Sequence, residues 1–362
     1  MLKNYKFLFM LVLIVSVQNL FGQTTVEQAR EKGNSAVKLE DEGKFEEAIK
    51  LLNEAQTLDP ESLVYPYELA YSYYSQKDYN KAISYLEPLT KHKDVIDRVF
   101  QLLGNSYDDL GNSEKALQTY DDGLKIFPLS GKLYLEKGNV YWVKKEYIKA
   151  LPFYEQGIKA DPAFPSNYFR AAKIYCGSTE EMWGMIYGEI FMNLERNSSR
   201  TQEISKLLYD TYKNQIKFTG GNSFSISFSK NNTISASNVN KNGTLKLPFS
   251  MIYEPSLTFA VISETDVDLN SLDRIRGRFV DFYYKKEFDK TYPNVLFEYQ
   301  KRIKDSGNFE AYNHWLLMMG DQDAFKIWQA ANQDKWTNFV KWFISNPLKL
   351  DNGHRFYSEQ YQ

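Results

Sequence analysis

The side chains able to do acid–base or metal chemistry are few and scattered. Histidine occurs at His92, His314 and His354 only, and no two lie within a helical turn, so no paired metal ligands arise from them. His92 stands between two lysines and reads as solvated, which leaves His314, beside Trp315, as the one candidate acid or base. Asp266, Asp268 and Asn270 alternate as at the opening of a calcium loop. Ser271, however, stands where the turn glycine belongs, and Gly277 where a bidentate glutamate is needed. Carboxylates there also suit the start of a helix, whose dipole favours negative charge. Arg274, Arg276, Arg278, Lys285 and Lys286 form a basic stretch, offset by Asp273, Asp281, Glu287 and Asp289, and read as a solvated helix face. Cys176 is the single cysteine, so no internal disulfide forms. No Gly-x-Ser-x-Gly elbow, phosphate loop or dinucleotide glycine pattern occurs. A formal net charge of −2 offers no basic field for nucleic acid. The expectation is a protein with no catalytic residue, metal or cofactor.

What the chain does offer is surface. Aromatic residues make up 16%, and tyrosine, with 27 copies, leads them; such rings pack while their hydroxyls reach an edge. The elements that carry them follow a strict period. Ala48, Ala82, Ala116 and Ala150 stand 34 residues apart, inside the phrases Phe45–Ala48, Tyr79–Ala82, Ser113–Ala116 and Tyr147–Ala150. Within each period two helical stripes alternate. Phe100, Leu103, Gly104 and Tyr107 mark one face, Gly111–Asn112 a turn, Ala116, Tyr120 and Leu124 a second face, and Pro128 a stop. Glycine and alanine at 104 and 116 fit a close crossing of the two helices.

These residues resemble the tetratricopeptide repeat, a helix–turn–helix unit of 34 residues. Repeats fall at 29–62, 63–96, 97–130 and 131–164, with a degenerate fifth at 165–198, where Gly184 replaces the alanine, and a capping helix to residue 215. Around Met182–Phe191 the chain is apolar on several sides, so that helix must be buried. The resemblance implies a right-handed superhelix whose first helices line a concave groove. Carried over position by position, the groove residues are Tyr67, Tyr71 and Tyr74, then Gln101, Asn105 and Asp108, then Leu135, Asn139 and Trp142, with Phe169 and Lys173 extending it. Some family members grip a C-terminal carboxylate at such positions. Here Asn105 and Asn139 match, but Gln101 and Leu135 stand where cations belong.

Two regions flank the solenoid, which is read as residues 23–215. Residues 1–22 read as a secretory signal peptide, with Lys3 and Lys6, the apolar run Phe7–Val17 and a cleavage point after Gly22. No cysteine for a lipid anchor lies beside it, and no integral membrane segment is expected after cleavage. The expected address is the bacterial envelope, periplasmic or secreted. Beyond residue 215 composition shifts. Phe224, Ile226 and Phe228 alternate with serines, Thr233–Val239 returns, Asn242–Gly243 signals a hairpin, and Leu245–Met251 and Leu257–Val261 alternate again. This predicts a small antiparallel β meander over 216–270, with packed helices over 271–362. The fold class is α+β, mostly α. The leading function is a non-catalytic scaffold or adaptor that binds a protein or peptide partner. The alternatives are an envelope carbohydrate-handling accessory protein, with tryptophan and tyrosine as sugar platforms, or an enzyme sited in the C-terminal half.

Overall fold

A computed structural model describes residues 24–220, 223–230 and 246–361, with 72% of the protein helical. The expected leader, residues 1–22, the strand Thr233–Val239 and the Asn242–Gly243 turn lie outside the described residues. The chain divides into two compact units, Met1–Pro128 and Leu129–Gln362.

In the N-terminal unit, α1 (24–41), α2 (Phe45–Leu58), α3 (Val64–Ser75), α4 (Tyr79–Leu89), α5 (Asp97–Asp109) and α6 (Ser113–Ile126) pair as successive helical hairpins. The C-terminal unit continues the pattern with α7 (Gly131–Trp142), α8 (Tyr147–Ala160), α9 (Pro165–Cys176) and α10 (Glu181–Leu194), followed by α11 (Ser199–Gln215). Each alanine of the 34-residue series is fully buried. A Cβ on Gly104 would lie 2.1 Å from the ring of Tyr120, and one on Gly138 2.3 Å from the ring of Tyr154, one period later. The paired helices therefore touch through a bare backbone and a tyrosine face. The turns share a second period. Gly43, Lys77, Gly111 and Lys145 all hold positive φ, at 74°, 64°, 82° and 60°. Glycine adopts that geometry without penalty, while lysine is strained in it. Asp78 and Asn112 then cap the following helices, each accepting from a backbone N–H three residues on at 3.1 Å.

Past α11 the described residues of the predicted meander form one strand pair. β1 (Ile216–Gly220) and β2 (Ser223–Ile226) pair antiparallel, Ile216 facing Ile226 and Phe218 facing Phe224. Leu257, Phe259 and Val261, expected as a strand, lie instead in α12 (Ser250–Val261). Tyr253, Leu257 and Ala260 are buried there at helical spacing, and the ring of Tyr253 packs 5.2 Å from Phe279. The remaining helices are α13 (Leu269–Lys285), the short α14 (Phe288–Thr291), α15 (Val295–Asp305), α16 (Phe309–Leu317), α17 (Gln322–Ala331) and α18 (Gln333–Ser345).

The C-terminal unit has one continuous core. It contains Tyr154, Tyr168 and Phe191 from the repeats together with Tyr283, Phe297 and Phe339 from the last helices. Its border therefore lies at Pro128–Leu129, two residues before the end of the third repeat, and residue 215 falls inside it. The cause is α10. Every residue from Met182 to Asn193 is buried, so the helix must be covered on all sides. Its polar members, Glu189 and Asn193, are engaged internally. Glu189 pairs with Arg276 of α13 at 2.7 Å and accepts from Gln300 of α15 and Tyr312 of α16, each at 2.8 Å. Arg276, expected on a solvated face, is thus buried, and it also donates to Tyr212 of α11 and Asn313 of α16. A second buried carboxylate, Glu155 of α8, accepts from Tyr175, Tyr187 and Ser358, the last in a short 3-10 turn at Ser358–Gln360. The segment bearing that turn runs back over the fourth and fifth repeats. It seats Phe356 6.0 Å from Trp183 and 6.3 Å from Tyr187.

Three stability changes follow. Gly104→Ala forces the Tyr120 ring aside and costs about 1–3 kcal/mol. Lys145→Gly relieves left-handed strain and gains about 1 kcal/mol. Arg276→Met leaves Glu189 charged without its cation and costs about 3–5 kcal/mol. Urea unfolding monitored by circular dichroism reads all three; an unchanged midpoint for Arg276→Met would contradict the assigned network.

Candidate functional site

The predicted groove residues fall on two faces, one per compact unit. In the N-terminal unit, α3 places Tyr67, Tyr71 and Tyr74 along one side. Tyr71 is 42% exposed, and Tyr67 is half-buried, its hydroxyl pushed up to about 12 by desolvation. Tyr74 donates to Asp109 at 2.6 Å and so ties α3 to α5. On α5, Gln101 is half-buried, Asn105 accepts from Tyr120 at 2.6 Å, and Asp108 accepts from Ser113 at 2.7 Å. Asn105 and Asp108 are thus engaged within their own repeat.

Beside Tyr67 lies a feature the sequence did not signal. Glu40 is buried and accepts from Ser72 at 2.5 Å, while burial and the neighbouring Glu40 push the Glu68 carboxyl up to about 7. Burial also raises the Glu40 carboxyl, so the two carboxyl groups share a region that disfavours charge.

In the C-terminal unit, Asn139 repeats the role of Asn105 one period on, accepting from Tyr154 at 3.1 Å and donating to Glu136 at 2.9 Å. Leu135 is half-buried on the same helix. Trp142 carries two cations over its ring, the guanidinium of Arg170 at 4.6 Å and the ammonium of Lys173 at 5.5 Å. Lys173 also pairs with Glu203 of α11. Phe169, expected to extend the groove, is instead 5% exposed, packed 5.2 Å from Phe191 and covered by Arg200. A residue one position from the groove face turns into the core when the next helix is as apolar as α10. Next to Lys173 opens a depression of about 480 Å³, lined by Gln202, Glu203, Lys206, Leu207 and Met319. The inner faces of α7, α9 and α11 thus form one strip, basic and aromatic at Trp142 and apolar at Leu207.

The residues weighed for chemistry sit elsewhere. His314 is buried, stacked 4.0 Å from Trp328, with Nδ1 at 2.9 Å from the Glu310 carbonyl, and burial lowers its pKa. Asp268 caps α13, accepting from the Ser271 N–H at 2.7 Å, and Asp266 accepts from the Val267 N–H. Burial pushes the Cys176 thiol up to about 12, which disfavours the thiolate. Among the described residues no group of three His, Cys, Asp or Glu side chains is placed to hold a metal ion.

Known proteins match the repeat region. Tetratricopeptide-repeat family models match residues 39–103 and 102–165. The Hsp70-Hsp90 organizing protein of Triticum aestivum is 28% identical over 117 residues, 32% of this chain and 20% of that protein. Hsp70-Hsp90 organizing protein 3 of Arabidopsis thaliana is 30% identical over 145 residues, 40% of this chain and 19% of that protein. The chain spans a fifth or less of the length of these relatives. Among solved structures, TTC0263, a thermophilic TPR protein of Thermus thermophilus, superposes with a TM-score of 0.42 at 18% identity, covering 50% of this chain and 98% of that one. The Pseudomonas aeruginosa pilF structure gives 0.43 at 17% identity, covering 52% and 86%.

The Glu68 carboxyl titrates near 4.5 in an open chain and about 7 in the fold, so the folded state holds its proton more tightly. Stability of the N-terminal unit therefore falls as pH rises from 4.5 through 7, and Glu68→Gln flattens that fall. Melting temperatures at pH 5 and pH 8 check this. The variant should gain at the higher pH and change little at the lower.

Proposed function

We propose that this tetratricopeptide-repeat protein, whose residues 39–165 carry the repeats, is a non-catalytic scaffold that receives an extended protein segment along the inner faces of α7, α9 and α11. Repeat arrays of this kind present surfaces for partners, and the observation that carries the reading is the open depression of about 480 Å³ beside Trp142 and Lys173. An apolar side chain of the partner seats on Leu207 and Met319. Lys173–Glu203 and Lys206–Asp210, already paired across the surface, frame it with alternating charge. Tyr67 and Tyr71 of the N-terminal unit give that unit its own aromatic contact face.

Two other readings fit less well. A sugar platform needs an open aromatic face, and Arg170 and Lys173 already cover the ring of Trp142. The relatives named as Hsp70-Hsp90 organizing proteins suggest a chaperone tail. Gln101 and Leu135 stand where the carboxylate-gripping pattern needs cations, so the proposed partner is an internal, extended segment. The leader-like residues 1–22 support export, and we place the protein in the bacterial periplasm or outside the cell.

A photoreactive residue at Gln202 of the full chain tests the strip, with the same probe at Ile148, 90% exposed on α8, as control. A partner should crosslink from 202 and not from 148, and should be lost on Leu207→Asp with the circular dichroism unchanged. Equal crosslinking from both positions would remove the strip as the contact surface.

A further inference from the structure

A second concavity in the C-terminal unit is built for different chemistry. It lies between α15 and the segment that follows α18, with a volume of about 290 Å³. Tyr299, Pro347 and Leu348 line its floor. The Tyr299 hydroxyl donates to the Asn346 carbonyl at 2.7 Å, and with Tyr299 and Leu348 buried the carbon that the floor exposes is that of Pro347. Arg302, Lys349, His354 and Glu298 stand around it.

The charges of the lining residues do not cancel. His354 Nδ1 lies 3.1 Å from the Lys349 carbonyl, which can only accept, so that nitrogen carries the hydrogen. His354 Nε2 faces Glu298 at 3.1 Å, and this carboxylate raises the histidine pKa and is in turn occupied by it. Arg302 lies 5.7 Å from the Tyr299 ring. Among the described residues neither Arg302 nor Lys349 has a carboxylate partner. Two permanent cations therefore border the concavity, while Glu298 is engaged by His354 and the nearby Asp351 by the N–H groups of Gly353 and His354.

We propose that this concavity binds a small organic anion, with a carboxylate or phosphate head held by Arg302 and Lys349 and an apolar body laid against Pro347. Arginine matches a planar or tetrahedral anion through paired N–H donors, and lysine adds a point charge. The volume lies at the low end for ligand sites, which limits the guest to one ring or a short chain. The site is separate from the strip on α7, α9 and α11, and it gives the scaffold a small-molecule input beside its protein contact.

Titration calorimetry of the full chain at fixed ionic strength tests this with benzoate, phenyl phosphate and the neutral benzyl alcohol. At least one anion should bind, and the double variant Arg302→Gln, Lys349→Gln should weaken it roughly tenfold or more. Both side chains are exposed, so the variant should fold, and its circular dichroism confirms that. Tighter benzoate assigns a carboxylate ligand, and tighter phenyl phosphate a phosphate ester. Failure of both anions to bind at about 1 mM, equal affinity in the variant, or equally tight benzyl alcohol would each overturn the proposal.

Discussion

Glu189 and Arg276 form an ion pair closed off from water, and the C-terminal unit is arranged around it. Neither charge could stay in an apolar interior alone, because desolvation costs several kcal/mol per ion. Both remain because Tyr212, Gln300, Tyr312 and Asn313 supply the missing hydrogen bonds, and those side chains come from α11, α15 and α16. A network of this sort is useful only when complete. It therefore fixes which helices surround α10 and at what depth. The repeats on one side and the last helices on the other meet on these six side chains, and the apolar core fills in around them.

The repeat itself was legible because its physics is local. A glycine against a tyrosine ring 16 residues on, a left-handed turn and a helix cap all fall inside one period, so the sequence repeats them visibly. The buried character of α10 was legible for a related reason. A run apolar on several sides has no other stable placement. The turn period was half hidden: Gly43 and Gly111 announce it, whereas Lys77 and Lys145 adopt the same backbone without any signal of their own.

Long-range partners were not legible. Arg276 sits among Arg274, Arg278 and offsetting acids, and only the arrival of Glu189, 87 residues earlier, turns it inward. The stretch Leu257–Val261 alternates in a way that suits a strand and equally suits a helix, and packing against Phe279 decides for the helix. Of the groove positions, Tyr71 and Trp142 keep surface, Phe169 does not, and Asn105 and Asn139 serve their own repeats. The depression beside Leu207 draws on Met319, which no repeat pattern could have supplied.

The return of Ser358 to Glu155 also sets a clock on biosynthesis. The two residues are 203 positions apart. At roughly 5–20 residues per second, a ribosome delivers the second some ten to forty seconds after the first. Through that interval Glu155 has Tyr175 and Tyr187 within reach but not its third donor, and Trp183 waits for Phe356. Within the N-terminal unit the corresponding cross-links are short, 32 residues for Ser72–Glu40, 35 for Tyr74–Asp109 and 15 for Tyr120–Asn105. The carboxylate network of the C-terminal unit is thus complete only once residue 358 has been made.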